Sequence, residues 1–286
     1  MNMEENKILI STDSTSDLTR EDREKFGISV MYGYVITEEG RYRDPSEVNS
    51  NNLVEYMEDE GKEAFSDIAS IEEYKEYFEE LRKETKGFII HISMAQYVSN
   101  AYNVALEAAA DMENVFVVDS RQVSGGLGLV VLKAADLALR GASLTLLLDE
   151  IQRNGEQTFS SFIVESTRYL YKNGNVKKGV HRLCRIFGIH PILKVSGGRI
   201  GLGGMGYGNK NGLVRRYIRW ALRHPKRIDT DMAYLVSNGY SYEYLEYVKE
   251  EIRHRIQFRK IVVNDASASV ASNCGPGAIG ILYVRK

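Results

Sequence analysis

Cysteine is scarce in this chain, which has two among its 286 residues, Cys184 and Cys274, and no Cys-x-x-Cys pair. This scarcity argues against a disulfide framework and a thiolate zinc site, and it indicates a reducing compartment. Long apolar runs are also missing, since none approaches the roughly 20 residues that a membrane span needs. The first residues lack the basic and then apolar pattern of a secretory signal. We therefore expect a cytoplasmic protein without a membrane span.

A charge excess of either sign is absent as well, because the formal net charge is −2. This balance argues against a nucleic-acid partner. None of the five histidines falls in a metal-ligand spacing, so we expect no metal site. Gly125, Gly126 and Gly128 lack the G-x-G-x-x-G spacing and the lysine of a phosphate loop, and close helix packing accounts for them better. The sequence thus predicts no cofactor.

What the first half does contain is an alternation of strands and helices. Residues 115–118 form a continuous apolar run, and a helix with apolar positions at helical spacing opens after Ser124. Further strands are predicted at 7–11, 28–36 and 88–92, and further helices at 51–60, 72–83 and 101–112. Residues 41–45 are predicted as a turn and 64–70 as a connection. This order predicts a parallel sheet with helices on both faces.

The second half has a different pattern. A hairpin is predicted around Ser196-Gly197-Gly198, between strands at 191–195 and 199–202. Other strands are predicted at 159–165, 233–236, 260–264 and 278–284, and helices at 144–153, 177–187, 213–223 and 242–255. These segments predict an α+β domain with a mixed sheet. We place the boundary near residue 150, which gives an α/β chain of two domains, 1–150 and 151–286.

Three loops that follow predicted strands of the first half carry hydroxyl groups. They cover residues 12–16, 93–99 and 120–124, and two of them open directly into helices. Ligands of open α/β sheets bind at the carboxyl ends of strands, and helix N-termini favour anions. Any one of these loops is explained by helix capping. Three at one sheet edge favour a binding site for a carboxylate or phosphate.

A basic cluster in the second half has two interpretations. It is a solvated helix face, or it is a docking face for an acidic partner protein. The cluster consists of Arg215, Arg216, Arg219, Arg223, His224, Lys226 and Arg227.

Four segments of the chain resemble the DegV family of bacterial fatty acid-binding proteins. They are ILISTDSTSDLT at 8–19, VVDSRQVSGGLGLVVLKAA at 117–135, HPILKVSGGRI at 190–200 and GPGAIGI at 275–281. The resemblance covers essentially the full length. It implies two α/β domains with a lipid between them. It also implies that the protein presents a bound fatty acid to a separate kinase, which phosphorylates the carboxylate.

The chain departs from the family pattern at several positions. The family's Thr-Ser-Gln-Pro falls on residues 66–69, where Ser66 is kept, and its Ser-Ser pair falls on Ala95-Gln96. Its histidine before the terminal glycine-rich turn falls on Asn273, and its Gly-Gly-Arg-Ile turn falls on residues 173–176. From the resemblance, we expect the first domain to supply the head-group loops and the second a slot for the acyl tail. The head-group residues expected are Ser14, Ser66, Ser93, Gln96 and Asn273. The tail-slot residues expected are Phe159, Phe162, Val164, Ile186 and Phe187, which are also ordinary core residue types.

The predicted function is therefore the binding of a long-chain fatty acid or similar amphiphile in a cleft between two domains, without catalysis by this chain. A rival hypothesis is a small-molecule phosphotransferase or hydrolase that uses the loops of Asp13 and Asp119. A third is a regulatory module whose slot is filled by its own side chains.

Overall fold

The computed structural model describes residues 7–58 and 62–286. Its helices are α1 (Arg20–Phe26), α2 (Ser50–Glu58), α3 (Ile71–Glu84), α4 (Ala101–Ala108), α5 (Gly125–Leu139), α6 (Leu144–Gln157), α7 (Arg168–Lys172), α8 (Lys178–Phe187), α9 (Lys210–Ala221), α10 (Tyr242–Arg253) and α11 (Ala268–Cys274). Its strands are β1 (Ile8–Asp13), β2 (Ser29–Met31), β3 (Gly33–Thr37), β4 (Gly40–Asp44), β5 (Ala64–Asp67), β6 (Phe88–Ser93), β7 (Val115–Asp119), β8 (Thr158–Ile163), β9 (Ile189–Ser196), β10 (Arg199–Tyr207), β11 (Ile228–Ser237), β12 (Lys260–Asp265) and β13 (Ile279–Arg285).

The first sheet is parallel, in the order β2-β1-β6-β7. In its register Thr12 pairs with Ile92, and Ser93 pairs with Asp119. The polar residues that end these strands, Asp13, Ser93 and Asp119, therefore lie at one edge of the sheet. This arrangement confirms the predicted parallel α/β sheet.

One predicted strand of the first half is in fact two. The segment 28–36 divides at Tyr32 into β2, which belongs to the parallel sheet, and β3, which belongs to a second sheet of order β4-β3-β5. The predicted turn at 41–45 and the connection at 64–70 were wrong, because they contain β4 and β5, both antiparallel to β3. The β4 sequence GRYRD is rich in charge, as edge strands often are, and this composition hides its strand character.

A third sheet builds the second half, in the order β10-β9-β8-β13-β11-β12. Strands β11 and β12 are parallel and the other pairs are antiparallel, so the sheet is mixed, as predicted. Helices α9 and α10 cover one face of this sheet, in a core that includes Tyr217, Ile218 and Val248.

Helix α5 lies between the first and third sheets and contacts strands of both. Its glycines allow this close approach: a Cβ at Gly126 would lie 2.1 Å from Ser160 Oγ, and one at Gly128 would lie 2.6 Å from the Ser16 carbonyl oxygen. The packing role predicted for these glycines is confirmed. Residue 150 lies inside α6, just before the third sheet begins at Thr158. We propose that the chain divides there into two domains joined along α5.

Candidate ligand-binding site

A buried aspartate organises the carboxyl edge of the first sheet. Asp13 Oδ1 accepts hydrogen bonds from Tyr74 Oη at 2.8 Å and from His91 Nε2 at 3.2 Å. Its Oδ2 accepts from Ser93 Oγ at 2.7 Å and from the Met94 amide at 2.8 Å. Burial raises the pKa of Asp13, but the hydrogen bonds of His91, Met94 and Ser93 outweigh burial, and the pKa lies below its usual value. The carboxylate therefore stays ionised.

The Asp13 network determines what Ser93 can do. The Ser93 side chain is fully buried and its hydroxyl proton points to Asp13 Oδ2. A hydroxyl has one proton, so Ser93 Oγ has no second proton to donate to a ligand. In this arrangement Ser93 fixes the edge of the sheet rather than facing the space beyond it.

Hydroxyl groups of Ser14 and of Ser269 on α11 lie on either side of Gly33. The Gly33 amide donates to Ser14 Oγ at 3.0 Å. A Cβ built at Gly33 would lie 3.3 Å from Ser14 Oγ, 3.4 Å from Ser269 Oγ and 3.7 Å from the Asp67 carbonyl oxygen. Two hydroxyls from distant parts of the sequence thus lie around one partly exposed glycine. We call this place the Gly33 cradle.

Ser66 and Asn273 are in direct contact beside the cradle. Asn273 Nδ2 donates to Ser66 Oγ at 3.1 Å and to the Ser269 carbonyl oxygen at 3.0 Å. Asn273 Oδ1 accepts from Asn175 Nδ2 at 3.2 Å. Asn273 is partly buried on α11 and Ser66 is exposed on β5. Three of the expected head-group residues, Ser14, Ser66 and Asn273, therefore lie in one region.

Among the described residues, no hydrogen bond joins Gln96 to that group. It is exposed on the turn after β6, next to Tyr97, whose ring lies 3.7 Å from the Arg199 guanidinium of the β9–β10 hairpin. Beneath this turn, Ala95 packs with Val123 and Val195. The turn therefore contacts the third sheet.

The expected tail residues fall into three different environments. Val164 is fully buried in a small core with Leu170, Cys274 and Ala278, against which Phe162 packs. Phe159 lies on the other face of β8, stacked on Tyr283 with ring centroids 4.8 Å apart. The period of two in a strand puts residues 159 and 162 on opposite faces, so they cannot line one slot.

Ile186 and Phe187 belong to an exposed apolar surface on α8. None of the 10 residues of this helix, all of which the structure describes, is buried. Exposure is 50% for Val180, 56% for Leu183, 59% for Ile186 and 68% for Phe187. Strand β10, which pairs with β9 beneath α8, also exposes large apolar side chains, among them Leu202, Met205 and Tyr207.

Helix α7 and the turn after it connect α8 to the head-group residues. His181 of α8 contacts Thr167 Oγ1 at 2.7 Å and stacks on Tyr171 of α7. The turn after α7 contains Asn175, which donates to Asn273. The apolar helix thus begins close to the polar group around Asn273.

Residues of the rival hypotheses have structural partners. The four donors around Asp13 occupy its carboxylate, and Asp119 Oδ1 accepts the Arg121 amide at 2.8 Å. Cys274 is a buried free thiol, and burial raises its pKa to about 12. A buried neutral thiol is a poor nucleophile.

Sequence reasoning missed Gly33, Ser269 and the aspartates that contact α11, Asp17 and Asp44. The only local signal for α11 is the N-cap pattern of Ser267, whose Oγ accepts the Val270 amide at 3.3 Å. Nothing in the local sequence relates this helix to β1 or β4.

Within the two described ranges, no helix is long and apolar enough to cross a membrane.

The basic cluster lies on α9 and the turn after it, at the start of β11. The opposite end of β11 contacts the segment before α11, where the Ala266 amide donates to the Ser237 carbonyl oxygen at 3.0 Å. At its other end the cluster reaches β10, where the Arg216 guanidinium donates to the Tyr207 carbonyl oxygen.

Comparison with known proteins gives a consistent result. The family model described as "Uncharacterised protein, DegV family" matches residues 7–286. A DegV domain-containing protein of Clostridium perfringens is 31% identical, across 98% of this chain and 99% of that one. A DegV family protein of Thermus thermophilus, whose structure was described for fatty acid binding, is 26% identical with a TM-score of 0.84, across 98% of this chain and 100% of that one. A stearic acid-binding protein of Eubacterium ventriosum has the same fold, with a TM-score of 0.83 at 21% identity over 98% of each chain. The chain belongs to the DegV family.

Proposed function

We propose that this protein binds a long-chain fatty acid or a similar amphiphile, with its head group at the Gly33 cradle and its tail along α8. The observation that carries the proposal is the apolar side of α8, where four large side chains are 50% to 68% exposed. An apolar surface of this kind is a common mark of a binding site. The fatty acid binding described for the Thermus thermophilus relative supports it.

The chemistry of the cradle suits a head group that accepts hydrogen bonds. Ser14 Oγ accepts the Gly33 amide and Ser66 Oγ accepts the Asn273 amide, so both hydroxyl protons are free to turn toward a ligand. Asn273 stands where the family pattern has histidine, and an amide carries no charge. A carboxylate here therefore lacks the cationic donor that a protonated histidine would supply, and its hydrogen bonds come from neutral groups. We therefore propose that the head group is a fatty carboxylate held by neutral donors, and that uncharged head groups also fit.

The tail is proposed to follow α8 and not to cross the third sheet. Ile186 and Phe187 remain members of the tail slot, with Val180 and Leu183 beside them. Phe162 and Val164 lie behind Cys274 and Ala278, where they support the slot from within. Phe159 packs on the other face of β8 and is assigned to the core under α9.

We also propose that the bound fatty acid is presented to a separate kinase protein in the cytoplasm. The basic cluster on α9 supports a protein contact, because across the described part of the chain Arg215, Arg219 and Arg223 form no ion pair with an acidic side chain. Reversal of charge at Arg219 and Arg223 should weaken binding of such a kinase and leave lipid affinity unchanged.

Equilibrium binding of stearic acid to restored-family variants tests the site. Asn273→His should tighten binding by about 1–2 kcal/mol, the scale of a hydrogen bond to a charged group. Ala95→Ser combined with Gln96→Ser is the matched control, because Gln96 has no hydrogen bond to the cradle residues within the described ranges, and it should change affinity little. If the control tightens binding and Asn273→His does not, the head group lies at the turn instead. If stearic acid binds to none of these proteins, the proposal is wrong.

A further inference from the structure

The start of α11 is held by two carboxylates from distant parts of the chain. Asp44 Oδ1 accepts the Ala268 amide at 3.1 Å, and its Oδ2 accepts the Ser269 amide at 2.8 Å. Asp17 Oδ1 accepts the Ser267 amide at 2.8 Å. The first amides of a helix have no partner within the helix, and here the carboxylates supply partners from β4 and from the turn after β1.

Both carboxylates are buried without a cation. Asp17 is 4% exposed and Asp44 is fully buried, and neither has an ion pair with a basic side chain of residues 7–58 or 62–286. Burial raises the pKa of Asp17 to about 7 and also raises the pKa of Asp44. The titratable groups facing Asp17 are Asp44, Tyr234 of β11 and Cys274 of α11. An acid kept in such surroundings costs stability when it ionises.

The backbone around Asp17 is also strained. Asp17 has φ 50°, and Ser124, whose hydroxyl donates to Asp17 Oδ2, has φ 56° and ψ −146°. The second conformation is almost confined to glycine and costs about 1–3 kcal/mol. Strain of this kind persists where the surrounding structure holds it, often at functional sites. The contact between Asp17, Ser124 and Ser267 is therefore maintained at a cost.

Helix α11 connects these carboxylates to the cradle. Its second residue, Ser269, contributes a hydroxyl beside Gly33, and its sixth, Asn273, bonds Ser66. We infer that Asp17 and Asp44 are positioning residues, which fix the start of α11 and so hold Ser269 and Asn273 in the head-group site. The expected change in ligand affinity rests on the proposed function. The expected change at the start of α11 does not.

The test uses full-length Asp17→Asn and Asp44→Asn variants, with Asp22→Asn as the matched control. Asp22 is also a buried aspartate of the first domain, but its carboxylate faces Tyr234 and Lys260 and not α11. We measure stearic acid affinity and, in ligand-free protein, hydrogen exchange at the amides of residues 267–269. Asp44→Asn keeps one acceptor for two amides, so affinity should fall about tenfold and exchange should accelerate about tenfold. Asp22→Asn should change neither.

A pH profile separates positioning by the Asp17 charge from simple packing. Above pH 7 the Asp17 carboxylate is ionised and its bond from the Ser267 amide is charge-assisted; below pH 7 that assistance is lost. The ratio of wild-type to Asp17→Asn affinity should therefore fall from about threefold at pH 8 to near one at pH 6. Comparing the two proteins at the same pH cancels the titration of stearic acid itself.

The outcomes are distinct. Unchanged exchange at residues 267–269 in both variants overturns the positioning role, whether or not the protein binds stearic acid. Equal losses in the Asp22→Asn control overturn it as well, because they show a general effect of removing a buried charge. If exchange accelerates in the variants but the wild type does not bind stearic acid, the positioning of α11 is supported and only the proposed function is refuted. If Asp44→Asn does not fold, the Asp17→Asn exchange and pH profile decide.

Discussion

Two buried aspartates, four residues apart at the end of β1, have opposite environments. Asp13 accepts four hydrogen bonds from groups of its own domain, and its pKa is lowered. Asp17 accepts bonds from Ser124 and Ser267 without a cation, lies near Asp44, and has its pKa raised to about 7. Burial alone therefore does not determine the state of a carboxylate; the number and kind of donors do.

The two networks suit different roles in this molecule, one structural and one connected to the proposed site. The Asp13 network is satisfied and ties together β1, α3 and β6, as a structural element does. The Asp17 network is buried without a cation, strained and joined to α11, which carries residues of the proposed head-group site. Proteins usually keep such costly groups where activity needs them.

The largest effect should come from removing the Asp13 carboxylate. Asp13→Ala leaves buried donors of Tyr74, His91 and Ser93 without an acceptor, at about 1–3 kcal/mol for each. We expect a loss of about 4 kcal/mol in the free energy of unfolding, measured by urea denaturation. Asp119→Ala, at a partly exposed aspartate of the same sheet edge, is the control and should cost under about 1 kcal/mol. Similar losses for both would mean that the Asp13 network has no special structural weight.

A smaller effect is expected from the titration of Asp17. Because folding raises its pKa from 3.8 to about 7, the folded state retains a proton that the unfolded state loses. The contribution of Asp17 to stability is therefore greatest at low pH and is lost as pH rises through about 7. Between pH 6 and pH 8 the wild type should lose about 1 kcal/mol, since one pKa unit corresponds to about 1.4 kcal/mol. Asp17→Asn should lose less over this range; an unchanged pH slope in the variant would assign the titration to another group.

The smallest expected effect comes from filling the Gly33 cradle. A methyl group at Gly33 would lie 3.3 Å from Ser14 Oγ and 3.4 Å from Ser269 Oγ, so Gly33→Ala partly fills the cradle. Stearic acid affinity should fall about fivefold, or about 1 kcal/mol. Gly201→Ala, in a strand with open space around it, is the matched control and should have little effect. Equal affinity for wild type and Gly33→Ala would show that the head group does not enter the cradle.

Much of the fold follows from sequence periodicity. The apolar runs at 88–92 and 115–118 and the helical spacing after Ser124 correctly predict β6, β7 and α5. The Gly197-Gly198 turn correctly predicts the β9–β10 hairpin, because paired glycines suit the left-handed positions that such a turn requires. The charged strand β4 and the short helix α11 were missed, since neither has an apolar period.

The proposed site was harder to predict because its contacts are long-range. Asn273 and Ser66 are 207 residues apart in sequence, and Ser267 and Asp17 are 250 apart. Family resemblance identified Ser66 and Asn273, but no local pattern indicates Gly33 or Ser269. The placement of Phe159 with Phe162 could have been avoided from the sequence, because the two residues are an odd number of positions apart in one strand.

Mass spectrometry of the lipids extracted from denatured protein, purified without added lipid, tests the central claim most directly. The account predicts a long-chain fatty acid or similar amphiphile at about one molecule per chain. It also predicts that added stearic acid raises the melting temperature, because ligand at 100 times its Kd contributes about 2.7 kcal/mol of stability. Protein that carries no amphiphile and whose melting temperature does not respond to stearic acid would contradict the account.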